Sequence, residues 1–310
     1  MKISIIIPNY NGEELLKKNL PKVQSAIENS KNEVEIIVVD DASTDTSVSV
    51  ISNSKFQIPN LRLIKNEKNL GFSSTVNKGV KGAKGEIVVL LNTDAYPESR
   101  FLDTLVEDFK DPSVFAVGPM DKSIENGKVI LRGRGIGSWR RGFLIHQRGE
   151  VDSSNTLWAN GGNSAFRKSI WNKLGGFNTL YDPFYWEDID LSYRALKSGY
   201  KVLFERKSVV YHEHSKGAIS KTYSKFKIKR IAYRNQFIFV WENATDLFLQ
   251  FSHVFYLPYH LLKALMRRDW AFLLGFIDAF VLLPKIIESS FKSQKQFIRT
   301  DREVIKEFKK

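Results

Sequence analysis

Residues 35–45 read Glu35-Ile36-Ile37-Val38-Val39-Asp40-Asp41-Ala42-Ser43-Thr44-Asp45. Four β-branched apolar residues in a row, without alternation, suit a strand buried on both faces. The run then meets two adjacent carboxylates, which are costly at the end of a buried strand unless hydrogen-bonded or bound to a ligand. Ser43, Thr44 and Asp45 have an ordinary use as helix caps. A cap does not need a second acid, which leaves Asp41 as a ligand candidate.

The same pattern recurs outward from this stretch. Residues 3–7, 61–64 and 87–91 are further short apolar strand candidates. Leu15, Leu16, Leu20, Val23 and Ile27 recur at helical spacing, with Pro21 as an expected kink. Val76, Val80 and Ala83 do so after Ser73, read as an N-cap, and Phe101, Leu102, Leu105, Val106 and Phe109 follow a helix start at Pro97, Glu98 and Ser99. Strand–helix alternation predicts an α/β fold with a mainly parallel sheet and helices on both faces. Ligands of such sheets bind beyond the carboxyl ends of the strands.

The loops at those ends carry the chemistry. Pro8-Asn9-Tyr10-Asn11-Gly12 offers a ring and polar groups for a planar ligand, or forms a simple turn. Asn92-Thr93-Asp94 places a lone acid where it can hold a hard divalent cation or cap a helix before Pro97. Asn160-Gly161-Gly162-Asn163 is a glycine turn that lets backbone approach a ligand closely. Glu187, Asp188 and Asp190 open a helix, where acids are favoured electrostatically. Phe184, Tyr185 and Trp186 before them predict a partly apolar pocket, in which an acid can act as a base. Val209-Val210-Tyr211-His212-Glu213-His214 reads as a strand with both histidines on one face, structural or metal-ligating.

Taken together and in order, IIIPNYN, VVDDASTD, NLGFSSTVNKG, LLNTDAYP, GGNSAFRK and WEDIDLSYR resemble the family-2 glycosyltransferases of GT-A fold over roughly residues 1–215. The resemblance implies an inverting transfer of sugar from a nucleotide-diphosphate donor to an acceptor hydroxyl, assisted by Mg²⁺ or Mn²⁺. It implies that Pro8 and Tyr10 flank the nucleotide base and that Asp41 contacts the nucleoside. Asp94 is then the surviving acid of an Asp-x-Asp motif whose first position here is Asn92, and it binds metal and diphosphate. His212, with His214 as alternative, adds a second ligand. Gly162 lies along donor sugar and acceptor, and Asp188 is the catalytic base with Glu187 beside it. The expected acceptor is a glycan or lipid-linked molecule in cell-surface polysaccharide or glycolipid synthesis.

Composition sets the outer limits. The 310 residues are 43% hydrophobic and 26% charged, as in soluble globular proteins, and contain no cysteine, which excludes disulfides and thiolate chemistry. Residues 206–310 hold 20 of the 47 Lys+Arg but only 9 of the 34 Asp+Glu, so the net charge of +13 is concentrated there. Between 237 and 297 stand 14 Phe, Trp or Tyr. The uncharged stretch 247–262 and the stretch 270–283, broken by Asp278, both fall short of the ~20 apolar residues of a spanning helix. The expected organisation is a catalytic domain over 1–216 and a helical region over 217–310. That region is an in-plane membrane anchor with Lys263, Arg267 and Arg268 between its apolar stretches, a cap on the catalytic domain, or a homodimer interface. The N-terminal apolar run is too short for a signal-peptide core, so the expected location is the cytoplasm, peripheral on its membrane face.

The basic third also suits a second class of function, a non-catalytic nucleotide- or nucleic-acid-binding protein. Gly133-Arg134-Gly135-Ile136-Gly137-Ser138 does not complete a dinucleotide fingerprint, and no P-loop or zinc-finger spacing exists. No nucleic-acid partner is expected.

Overall fold

The computed structural model describes residues 1–54, 58, 60–125, 128–212, 219 and 222–309. Four strands start the sheet: β1 (Lys2–Asn9), β2 (Glu33–Asp40), β3 (Leu61–Lys65) and β4 (Ile87–Leu90), joined through helices α1 (Glu13–Glu28), α2 (Ser47–Ser54) and α3 (Phe72–Gly82). They pair in parallel in the order β3-β2-β1-β4, with Ile5 opposite Ile36 and Val89. Successive residues of β1 explain the unbroken apolar pattern. Ile5 and Ile7 enter the core under α1, α2 and α4 (Phe101–Glu107), while Ile6 enters the core under α3.

Beyond β4 the sheet becomes mixed. β10 (Ala165–Arg167) enters antiparallel between β4 and β6 (Val114–Glu125), and β11 (Lys201–His212) runs parallel to β6. The short β5 (Ala95–Pro97) and β7 (Lys128–Arg132) pair antiparallel with β11 and β6, making nine strands in one sheet among the described residues. A separate hairpin, β8 (Gly135–Arg140) and β9 (Phe143–Arg148), occupies the glycine-rich stretch that fails as a dinucleotide motif. α5 (Lys168–Leu174) stops at the left-handed Gly175, and α6 (Glu187–Lys197) leads into β11.

Pro21 lies inside α1, which runs from Glu13 to Glu28. One local expectation is corrected. Ser73 is not the N-cap of α3; Gly71 is, at φ +91°, and the first turn is capped from far away. Asp182 accepts from Ser73 N at 2.8 Å and from the Ser74 hydroxyl at 2.6 Å, satisfying donors the helix cannot satisfy itself.

The C-terminal helices are α7 (Lys225–Asn243), α8 (Leu247–Met266), α9 (Trp270–Val281), α10 (Leu283–Gln294) and α11 (Asp301–Glu307). Phe237, Ile238, Phe272, Ile286 and Val304 share one continuous apolar core with Val76 and Phe166 of the α/β region. The expected boundary near 216/217 falls outside the described residues.

Candidate active site

A cleft of about 740 Å³ opens at the carboxyl ends of β1, β2 and β4. Pro8, Tyr10, Asp41, Asn92, Asp94, Gly162, Glu187, Asp188 and His212 all line it. Residues 180 positions apart in the chain thus meet in one cavity, whereas His214 lies outside the described residues.

Each acid is held by a different local device. Asp40 is consumed by its own turn, accepting from Asn9 Nδ2 at 2.8 Å and the Ser43 hydroxyl at 2.6 Å. Asp41 instead organises the opposite wall: Oδ1 accepts from Asn66 Nδ2 and Leu70 N, and Oδ2 from Gly71 N. The capping role and the cleft-facing role were thus divided between two adjacent carboxylates. Asp94 turns Oδ1 to His212 Nε2 at 3.1 Å, and among the described residues nothing donates to its Oδ2.

His212 sits between two acids, with Nδ1 3.1 Å from Asp121 Oδ2. Burial opposes a charge on the ring, but hydrogen bonds to Asp121 and Asp94 outweigh it and hold the pKa at about 9. Both nitrogens are engaged, so a cation would bind here only by replacing the proton on Nε2. Asp121 is itself fixed by Asn163 Nδ2 at 2.8 Å and the Ser123 hydroxyl at 2.8 Å. No group of three or more His, Asp or Glu is arranged as a metal cage among the described residues. A hard oxygen at Asp94, with Asn92 beside it, nevertheless fits Mg²⁺ or Mn²⁺, which take few protein ligands and complete their shell with water and phosphate oxygens.

The glycine turn lies between Asp94 and the second pair of acids. Gly162 O accepts from Asn92 N at 2.7 Å, and Gly161 N donates to Asp188 Oδ2 at 3.1 Å. A Cβ at Gly162 would stand 2.6 Å from Asn92 Nδ2, so the two walls touch only because this residue has no side chain. Tyr185 and Trp186 both adopt left-handed φ, +71° and +78°, immediately before Glu187. Two such bulky residues in succession store strain that the surroundings must hold.

Asn235 of α7 supplies much of that hold. It is fully buried, and its Nδ2 lies 2.9, 2.9 and 2.8 Å from the carbonyl oxygens of Tyr181, Phe184 and Tyr185. Arg234 Nη2 donates to Asp182 O at 2.5 Å. Sequence reasoning missed both residues, and nothing in the helix pattern singles them out. It also missed Asp121, which lies inside an apolar strand, and that position was the available signal.

Burial pushes the Asp188 carboxyl up, against the pull of the Gly161 and Ile189 amides. Glu187 is raised much further by burial and then by the neighbouring Asp188 charge, and its Oε2 has no partner. Of the two, Asp188 is the one that ionises the more readily. The arrangement can therefore seat a polar ligand between an electrophile-binding acid and a basic acid.

A curled mixed sheet with strand-end acids around one deep cleft is the GT-A architecture. Residues 4–175 match the profile of Glycosyl transferase family 2, and the chain belongs to that family. It is 32% identical over 129 residues to a dolichol-phosphate mannosyltransferase of Pyrococcus furiosus, covering 42% of this chain but only 35% of that relative. It is 26% identical to the O-antigen chain rhamnosyltransferase of Salmonella typhimurium, over 69% of this chain and 67% of the relative. S. aureus TarS in complex with UDP-GlcNAc superposes with TM-score 0.60 at 17% identity, covering 99% of this chain and 91% of that one. A Pyrobaculum calidifontis mannosyltransferase in complex with GDP-Man and Mn²⁺ gives 0.56 at 18%, covering 95% and 84%.

Proposed function

We propose that this chain transfers a sugar, with inversion, from a nucleotide-diphosphate donor to an acceptor hydroxyl on a glycan or lipid-linked molecule. The observation that carries this reading is the convergence of Asp94 and Asp188 on one cleft, bridged by the Gly161-Gly162 turn.

Pro8 and Tyr10 border the nucleotide base, and Asp41, its carboxylate already aimed by the Leu70 and Gly71 amides, meets the nucleoside. Asp94 stands at the diphosphate, where a bound Mg²⁺ or Mn²⁺ would neutralise the charge growing on the leaving group. Asp188 accepts the acceptor's hydroxyl proton as that oxygen bonds to the anomeric carbon and the bond to the diphosphate breaks. Glu187, whose ionisation burial and the Asp188 charge oppose, shapes the pocket beside the base. One displacement inverts the centre, whereas a retaining hydrolase needs two carboxylates bracketing the bond at about 5–5.5 Å.

Asp188→Asn should lower turnover by about 10²–10⁴-fold while leaving donor binding intact. The measurement is nucleoside-diphosphate release across a panel of nucleotide sugars with Mg²⁺ or Mn²⁺, paired with calorimetric donor binding. Unchanged turnover in the variant would remove Asp188 from the role.

A further inference from the structure

The outer side of the C-terminal helices is apolar where a soluble helix would be polar. Leu247, Phe248, Phe251, Val254, Phe255, Leu262 and Met266 all lie exposed, and their spacing of one, three, four and seven puts them on one stripe of α8. Phe251 is 71% and Phe255 75% exposed. Trp270, Phe280 and Val281 of α9 and Ile287 and Phe291 of α10 are exposed as well. Exposed apolar surface of this extent marks a partner or a membrane.

The rim of this face is basic. Arg302 lies 4.7 Å over the Phe248 ring, Arg141 and Lys263 lie 5.6 Å from the Tyr259 ring, and Arg267 and Arg268 are exposed at the far end of α8. The acids nearby are paired with cations: Asp269 with Lys229, Asp278 with Arg230 and the exposed Glu288 with Lys292. What the face presents outward is aromatic and aliphatic surface framed by cations. Its depth is that of an interface, since no single described helix is long and apolar enough to cross a bilayer. α9 and α10 meet that test only as a pair bent by 66°.

We infer that this face lies in the plane of an anionic phospholipid bilayer, its Phe, Leu and Trp side chains in the headgroup–acyl boundary and its Arg and Lys on lipid phosphates. Charge decides for lipid over a second copy of the chain, because two such basic rims would repel one another. The β8–β9 hairpin ties the face to the cleft. The backbone of Gly142 rests against His253 of α8, and His146, three residues after Phe143, lines the cleft about 10 Å further along the strand. A lipid-borne acceptor then comes within reach of Asp188, a consequence that rests on the transfer reading above; the bilayer contact does not.

The test uses the full chain in flotation assays with vesicles of phosphatidylcholine alone and with about one third phosphatidylglycerol, without any sugar present. The chain should float with the anionic vesicles, bind neutral ones several-fold less, and release partly as salt is raised. Phe251→Asp together with Phe255→Asp should weaken binding by about tenfold or more with the circular dichroism spectrum unchanged. Arg267→Ala with Arg268→Ala, which leaves the apolar stripe intact, should weaken binding to anionic vesicles only. No flotation with either vesicle, or equal flotation with both, overturns the inference. So does a doubled mass in light scattering that the Phe variant returns to a monomer while vesicle binding stays absent.

Discussion

α7 and α8 are neighbours in sequence and opposites in where they put their polar groups. The carboxyl half of α7 buries Asn235, Glu242 and Asn243 and turns them toward the α/β region. α8 buries only Leu249, His253 and Ala264 and leaves a stripe of large apolar side chains outside. The first helix uses hydrogen bonds to hold a strained loop in place; the second offers unsatisfied apolar area to something beyond the molecule. The difference teaches that the inner side of the helical region is built for position and the outer side for contact.

The strongest way to break the inner side is at its ion pair. Lys197 and Asp301 are both fully buried, 2.9 Å apart, and Asp301 also accepts from the Tyr193 hydroxyl and the Thr245 and Asp246 amides. Burial pulls the Lys197 pKa down while Asp301 holds it up. Asp301→Ala leaves a buried ammonium without its counter-charge and should cost about 3–5 kcal/mol in urea unfolding. A loss within the range of an ordinary surface substitution would show that α11 is not fastened by this pair.

Asn235 sharpens the comparison from stability toward chemistry. Asn235→Ala frees three carbonyls of the loop that leads into Glu187 and Asp188. Turnover should fall about 10- to 100-fold, because a shift of the base by an ångström is enough, with little change in donor KM. A rise in KM equal to the fall in kcat would place its effect on binding instead.

What was legible in the chain and what was not follows the same division. Buried parallel strands write themselves as unbroken Ile/Val runs, and the residue after each run is at the cleft, so Asp41, Asn92 and Asp94 could be found one by one. The Glu187-Asp188 pair showed itself by aromatic residues where a solvated helix start would have none. Asn235 could not be found this way. An Asn among Lys, Arg and Gln reads as a solvated face, and only contacts 50 to 54 residues away make it a buried donor. Ser73 misled for the related reason that a cap can arrive from Asp182, 109 residues on. The apolar stripe of α8 was visible in composition, but which side of the helix it faced depended on the packing of α7.

Glu242 gives the most selective test of that inner side, one visible only as pH is varied. It accepts from Asn178 Nδ2 at 2.8 Å and from the Ser289 hydroxyl at 2.5 Å, joining α7 to α10 and to the 3₁₀ turn before the strained loop. Burial, followed by the nearby Asp190 charge, raises its pKa from 4.5 to about 7, against the partial relief of Arg194. Below about pH 4.5 folded and unfolded chains both hold the proton, and this carboxyl does not weaken the fold. As pH rises from there the unfolded chain ionises first, so stability is lost until the folded pKa near 7 is passed. Glu242→Gln cannot ionise and should match the parent near pH 4 yet exceed it by about 3 kcal/mol at pH 8. Parallel stability–pH curves for the two proteins would mean that this carboxyl titrates in the folded chain as it does in the unfolded one, and that burial at the junction does not oppose its charge.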